Sequence, residues 1–290
     1  MKLHFPKIIL LILLTTSINS YAQIGANSIY GHRNATDNVK RSIVSTDSTF
    51  TINVNVLLNK QADRYKLIMG AMQTGATPKE GLQKINKIID SFNSQVLRLG
   101  ISKEDIYVDF VSQTKIYDFI QQDARTMKQV ESGYEIRKNI IISLTRLDDI
   151  EKIILLASDN DIYNVVNVEY INDNLDAIHT QLLQEAFNIE KKKAKEYTDF
   201  CKMKTQGTPA VNETYHTIFP KERYLSYTAY ESSEYDRYSS GDKMLARKDK
   251  TYYYEGANYS GFDKVIGNNS PQIGIQYVLS LSVTYTVQKH

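Results

Sequence analysis

Histidine, cysteine and paired carboxylates build most metal and nucleophilic sites, and in this chain they stand apart. Once an N-terminal leader is set aside, the histidines left are His32, His179, His216 and His290. They are widely spaced, with no His-x-x-x-His pair and no cysteine pair, so no metal site is expected. Asp159, Asp161, Asp173 and Asp176 are near enough in sequence to raise calcium, yet they lack the Asp-x-Asp-x-Asp-Gly loop and its closing bidentate glutamate. Turn and cap roles explain them better. Hydrolase chemistry has no signature either: there is no Gly-x-Ser-x-Gly elbow and no paired Ser-x-x-Lys motif. A glycosidase-like carboxylate pair, set by a separation of about 5 to 9 Å, is invisible in sequence. Gly70, Gly75 and Gly81 do not spell a phosphate-cradling loop. Cys201 is the sole cysteine, which excludes an internal disulfide and reads as a small buried hydrophobe, with an intermolecular disulfide or a reactive thiol as the sharper alternatives. The chain is therefore read as a non-enzyme with no catalytic residue and no cofactor.

Tyrosine is the residue type that does cluster. The chain has no tryptophan but 21 tyrosines. Nine fall between Tyr224 and Tyr259, including Tyr252-Tyr253-Tyr254. Tyr224, Tyr227, Tyr230, Tyr235 and Tyr238 recur every three to five residues, so they do not all share one side of a strand. The plain reading is cross-strand aromatic packing. The functional reading is a contact surface for a partner subunit or a glycan, since tyrosine offers area at low entropic cost. Tyr224, Tyr227, Tyr230, Tyr252, Tyr253, Tyr254 and Tyr259 are the candidate contact residues.

The N-terminus bounds where such a surface would work. Lys2 and Lys7 flank the start of an apolar run from Ile8 to Leu14, and Ser20 and Ala22 are short residues placed for a cut before Gln23. That is the pattern of a secretory signal peptide. The apolar run is far short of the roughly 20 residues that cross a bilayer. A periplasmic or extracellular protein is expected, which removes most ATP-, NAD- and nucleic-acid-dependent functions. Without Lys2 and Lys7 the remaining chain carries 33 basic and 33 acidic residues, so no broad field draws nucleic acid or an anionic membrane.

The elements that would position these residues follow from periodicity and caps. Residues 23–48 read as a polar arm. Phe50, Ile52, Val54, Val56 and Leu58 alternate with polar residues in a half-buried strand, and Tyr65 to Gln73 form a second strand after a short turn. Thr77 as N-cap, Pro78 at the first helical position and Glu80 closing a capping box start a helix. Its stripe is Leu82, Ile85, Ile88, Ile89, Phe92, Val96 and Leu99, and Gly100 stops it. Ile106 to Tyr117 and Tyr134 to Leu144 read as strands, with polar Gln121 to Ser132 as the loop between them. A short helix over Leu147 to Ala157 and a strand over Ile162 to Ile171 follow. Asn172 or Asn174 then caps a long helix to about Phe200. The run Glu190-Lys191-Lys192-Lys193-Ala194-Lys195 on that helix is expected to face water. Val211 to Ile218 and Tyr224 to Tyr230 read as strands and Ser239 to Lys250 as a loop. A terminal strand alternates from Ile273 to Val287. The expected fold class is α+β: a mixed or antiparallel sheet backed by helices, with a Tyr-rich C-terminal strand region. The long terminal strand fits a sheet, with its edge open to subunit pairing, better than an outer-membrane barrel, because the capped helices occupy the chain that barrel strands would need.

Several short motifs, in order, resemble the SIMPL domain (the DUF541 family). Asp63 to Thr74 followed by Thr77-Pro78-Lys79-Glu80 is similar to that family's opening strand and helix start. Gly100-Ile101 with Asp105-Ile106, Gly133-Tyr134-Glu135 leading into Asn139-Ile140-Ile141-Ile142, and Leu147-Asp148-Asp149-Ile150 resemble its later junctions. Ala186 with Lys193-Ala194 looks like its long helix, and Pro271, Gly274 and the final strand look like its ending. The resemblance runs from about Thr49 to Val287 and is weakest between Phe200 and Asn268. With the leader read at 1–22 and the arm at 23–48, it implies a SIMPL-like core at 49–200 and an extension at 201–290 that completes the domain. It also implies an exported bacterial envelope protein. Family members are tied variously to a kinase-associated signalling adaptor, to ring- or channel-like homo-oligomers and to oxidative-stress tolerance. No catalytic residue carries over. The expectation is self-assembly or contact with cell-wall or envelope components, without nucleic acid and without integral membrane insertion. The alternative is a soluble module that binds glycan or a small ligand through the tyrosine segment.

Overall fold

In the computed structural model, residues 28–30, 42–122, 125–229, 250–267 and 270–288 are described. The segment read as a signal peptide, most of the segment read as a polar arm, Tyr230, Tyr235, Tyr238 and nearly all of the segment read as a loop at 239–250 lie outside them. In chain order the elements are β1 (Ser28–Tyr30), β2 (Ile43–Ser45), β3 (Thr49–Lys60), β4 (Arg64–Gly75), α1 (Pro78–Arg98), β5 (Ile106–Gln121) and β6 (Met127–Leu144). There follow α2 (Asp149–Ser158), β7 (Asn164–Ile171), α3 (Leu175–Cys201), β8 (Thr205–Ile218), β9 (Tyr224–Ala229), β10 (Lys250–Tyr254), β11 (Lys264–Ile266) and β12 (Ile275–Val287). The fold is α+β, as expected. It divides into a small unit holding β1, β9 and β10 and a larger unit holding the rest.

The expected single sheet is corrected to two within the larger unit. One has the order β11-β3-β12-β8 with β2 on β3, and the other β5-β6-β4-β7. Among the described strands only β11 runs parallel to its neighbour. β3 and β4, although joined by a short turn, belong to different sheets. Polar bonds hold that turn. The Asp63 amide donates to the Ile171 carbonyl at 2.9 Å, and the buried Asn172 Nδ2 donates to the Gln61 carbonyl at 2.7 Å. The Asp63 carboxylate accepts from Lys60 and from the Asp173 amide, which holds its pKa below the usual carboxylate range. Local alternation marks a strand but carries no record of which partner it takes.

Each sheet packs a helix on one face. Phe50, Ile52, Val54, Val56 and Leu58 of β3, with Ile275, Tyr277, Leu279, Leu281 and Val283 of β12, bury against Ile178, Leu182 and Ala186 of α3. Alternation fails at Leu57 and Val278, which are register partners. Ala257 and Phe262 cover the sheet's second face at that point. The other core sets Leu67, Met69, Ile136, Ile140 and Ile142 against Ile85, Ile89, Phe92 and Val96 of α1 and Ile153 of α2. The Thr77 hydroxyl accepts from the Glu80 amide at 3.2 Å. The Glu80 carboxylate reaches back to the Ala76 amide at 3.0 Å, one residue earlier than a standard capping box. Leu82 and Leu99 of the expected stripe remain exposed.

Glycine sets how closely α1 approaches its sheet. A Cβ on Gly75 would land on the Gly81 amide nitrogen and lie 3.0 Å from the Thr77 carbonyl oxygen. Gly133, at φ 148°, would place a Cβ 2.6 Å from the Gly75 carbonyl oxygen. Gly75→Ala therefore forces the first turn of α1 off the sheet, at a cost of about 1–3 kcal/mol. Thermal unfolding monitored by circular dichroism measures it, and an unchanged midpoint would contradict this packing.

Two further expectations are corrected. The polar loop at 121–132 is mostly strand, because β5 and β6 continue as a ribbon until Gln121 pairs with Met127. Its polar composition reflects a ribbon with water on its faces, where period-2 hydrophobicity has no reason to persist. Cys201 is exposed rather than buried, because it falls at the last turn of α3, beyond the residues that face β3 and β12.

Candidate functional site

The small unit brings part of the tyrosine cluster together. β9 is its middle strand, antiparallel to β1 and β10. Tyr224 pairs with Tyr254, and Tyr252 stands opposite Ser226, which places all three tyrosines on one face. The Tyr224 and Tyr254 rings meet edge-on at 5.8 Å, and Tyr252 is 66% exposed. Tyr253, opposite Leu225, belongs to the other face, as do the register positions of Tyr227 and Tyr30. Tyr259 is elsewhere: it sits in a 3-10 turn of the larger unit, where its hydroxyl accepts from Asn59 Nδ2 at 2.9 Å. The alternation of a strand divides a cluster that looked continuous in sequence. Tyr30, nearly two hundred residues from its partner, had no local signal.

A second surface is the far half of the β5–β6 ribbon. From Met127 to Gly133, β6 pairs with β5 alone, since its pairing with β4 begins at Tyr134. Phe119 is 65% exposed there, and Tyr117, Ile120 and Met127 are exposed with it. Lys115 and Glu131 pair across the strands at 2.7 Å, and Lys115 lies 5.9 Å from the centre of the Tyr134 ring. The pair raises the Lys115 pKa and lowers that of Glu131, so both keep their charge.

The larger unit also contains a half-open cleft of about 430 Å³ between its two sheets. Its walls are chiefly apolar, drawn from β7 (Val168, Tyr170), β8 and the residues after it (Phe219, Pro220) and β12 (Ile275, Tyr277). Asn172 lies within it, and its Oδ1 accepts from the Tyr277 hydroxyl at 3.0 Å. Lys66 and Glu169, 3.4 Å apart, and Lys221 supply the charges. No sequence pattern could have assembled this cleft, since its lining comes from four separate stretches of chain.

Buried polar pairs lie on α3. Glu190 is buried and accepts from the Tyr285 hydroxyl at 2.8 Å. Lys191, Lys192 and Lys195 face water as expected, whereas Lys193 is turned inward to Asp263 at 2.8 Å. The expectation that the whole run is solvated is corrected at Glu190 and Lys193, which the helix phase turns toward the sheet; the Asn53 carbonyl of β3 also accepts from Lys193 at 3.0 Å. His179 bonds Glu213 at 2.6 Å.

Among the described residues no three His, Cys, Asp or Glu side chains gather as a metal-ion set, and no helix is long and apolar enough to cross a membrane. A search of curated proteins returns no match to this chain. A family model does match, over residues 25–285. That span takes in both helix-backed sheets and the tyrosine strands, and its description is "Protein of unknown function (DUF541)". With nearly the whole chain matched, and the motif order and α+β architecture in agreement, the protein belongs to the SIMPL family.

Proposed function

We propose that this protein is an exported envelope protein that acts through surface contacts, chiefly assembly with copies of itself, and not through turnover of a substrate. The observation that carries this reading is the β5–β6 ribbon, whose Tyr117, Phe119, Ile120 and Met127 stand bare at the end of a two-stranded arm. Exposed apolar groups concentrated on one projection mark interaction surfaces more often than scattered ones do. An isolated two-stranded ribbon also gains from added strands or packing. The leader-like pattern of residues 1–22 supports work in the periplasm or outside the cell, and the proposed role there is in envelope integrity or oxidative-stress tolerance.

Light scattering after size exclusion, on residues 23–290 at micromolar concentration, tests it. An assembly of several protomers is expected. The triple substitution Phe119→Ser, Ile120→Thr, Met127→Gln is expected to shift it toward monomer, while leaving the circular dichroism unchanged. A wild-type monomer across the concentration range removes the assembly reading. Turnover abolished by a point substitution removes the non-enzymatic one.

The shared face of Tyr224, Tyr252 and Tyr254 favours a second reading, a glycan contact through stacked rings. Replacing Tyr252, Tyr253 and Tyr254 with serine should then reduce co-sedimentation with purified cell wall. Equal sedimentation of both proteins counts against it.

A further inference from the structure

We propose that the cleft between the two sheets of the larger unit binds a small amphiphile with an anionic head and an apolar body, of the class of a medium-chain fatty acid. The cleft is physically separate from the ribbon, and its occupant does not depend on whether the protein assembles. Three features carry the proposal.

The walls come first. Val168, Ile171, Leu175, Phe219, Pro220 and Ile275 present aliphatic and aromatic surface to the opening, and such surface favours an apolar occupant that displaces water.

The polar groups deeper in the cleft are already matched by the protein. The Tyr277 hydroxyl donates to Asn172 Oδ1, and Asn172 Nδ2 donates to the Gln61 carbonyl. A polar or sugar-like body would have to break these bonds or leave its own groups unpaired, at a penalty that an alkyl chain avoids. The phenol of Tyr277 stays protonated far above neutral pH, because burial opposes its ionisation, so it presents no negative charge to an anionic guest.

The charges supply the head-group preference. Lys66 spends its charge on Glu169. Lys221, exposed in the 3-10 turn Pro220–Arg223, has no carboxylate partner among the described residues. Two ammonium groups against one carboxylate leave the lining cationic, which complements a carboxylate head. Size bounds the tail: at about 430 Å³ the cleft falls within the range of small-molecule pockets, which suits a medium-chain acid such as dodecanoate.

The test uses residues 23–290 and isothermal titration with dodecanoate, 1-dodecanol and dodecyltrimethylammonium as probes, all below their aggregation limits. Dodecanoate is expected to bind with one site per protomer, more tightly than the alcohol and far more tightly than the cation. Lys221→Glu should weaken dodecanoate about tenfold, from the reversed charge at the head group. Thr217→Trp, on the β8 wall, should abolish binding by filling the space. Both variants are checked by thermal unfolding. Because Lys221 is exposed, its variant should retain the wild-type midpoint and stands as a test even if the tryptophan perturbs the fold. Equal affinity for the three probes, many sites per protomer, or affinity for dodecanoate unchanged by Lys221→Glu would each overturn the proposal.

Discussion

Lys193→Ala is expected to lower the unfolding free energy by about 3–5 kcal/mol, the range seen when one partner of a buried ion pair is removed. The Lys193 ammonium and the Asp263 carboxylate are 2.8 Å apart, with side chains only 18% and 6% exposed. Asp263 also accepts from the Asn55 amide at 2.9 Å, and its own amide donates to the Asn55 carbonyl at 2.8 Å. The pair therefore ties α3 to β3 and to the segment that leads into β11. Without the ammonium, a buried carboxylate loses the counter-charge that Lys193 supplies at 2.8 Å. Lys192→Ala, two-thirds or more exposed on the same helix, is expected to stay within about 0.5 kcal/mol of wild type. Urea unfolding of the two variants measures the contrast. The double variant Lys193→Met, Asp263→Leu should recover part of the loss, because it removes both charges together, while the Asn55 amide still loses its side-chain acceptor. Equal stability of the two single variants would mean that Lys193 is solvated after all.

Alkaline pH should destabilise the protein through two phenols. Burial pushes the Tyr277 pKa to about 12, and the negative charge of Asp63 and the neighbouring Tyr215 act in the same direction. Burial, followed by the hydrogen bond to Glu190, takes Tyr285 to about 12 as well. An unfolded tyrosine titrates near ~10. A folded pKa above the unfolded one means that the folded state holds its proton more tightly. The associated stability is complete below about pH 10 and is lost as pH rises through about 12. For the fully buried Tyr277 the loss approaches roughly 2–3 kcal/mol. Urea midpoints taken between pH 9 and 12, in about half-unit steps, should fall steeply in that window. Tyr277→Phe should flatten the fall while costing about 1–3 kcal/mol at neutral pH, where Asn172 Oδ1 loses its donor. Identical pH profiles for wild type and variant would show that Tyr277 ionises as freely folded as unfolded.

The places where sequence reading succeeded share a physical cause. Thr77, Pro78 and Glu80 act on backbone groups within four residues, so the start of α1 is decided locally. The alternation of β3 and β12 is legible because α3 buries one face of both strands along most of their length. The same signal vanishes in the outer half of β5 and β6, where no described residue buries the ribbon's faces and polar residues suffice on both sides. The tyrosine cluster was visible as composition. Its division into two faces, and the removal of Tyr259 to a turn pinned by Asn59, depend on strand register.

From the order of residues alone came the α+β class, the ends of the long helices, the leader pattern and the motif order of the SIMPL family, because each rests on neighbours a few positions apart or on their succession along the chain. Tertiary structure decided which strands share a sheet, that Lys193 and Glu190 turn inward, and that Lys66, Asn172, Lys221 and Tyr277 surround one cleft. Those outcomes depend on contacts between segments as much as two hundred residues apart, and the free energy of such a contact exists only once both segments are in place.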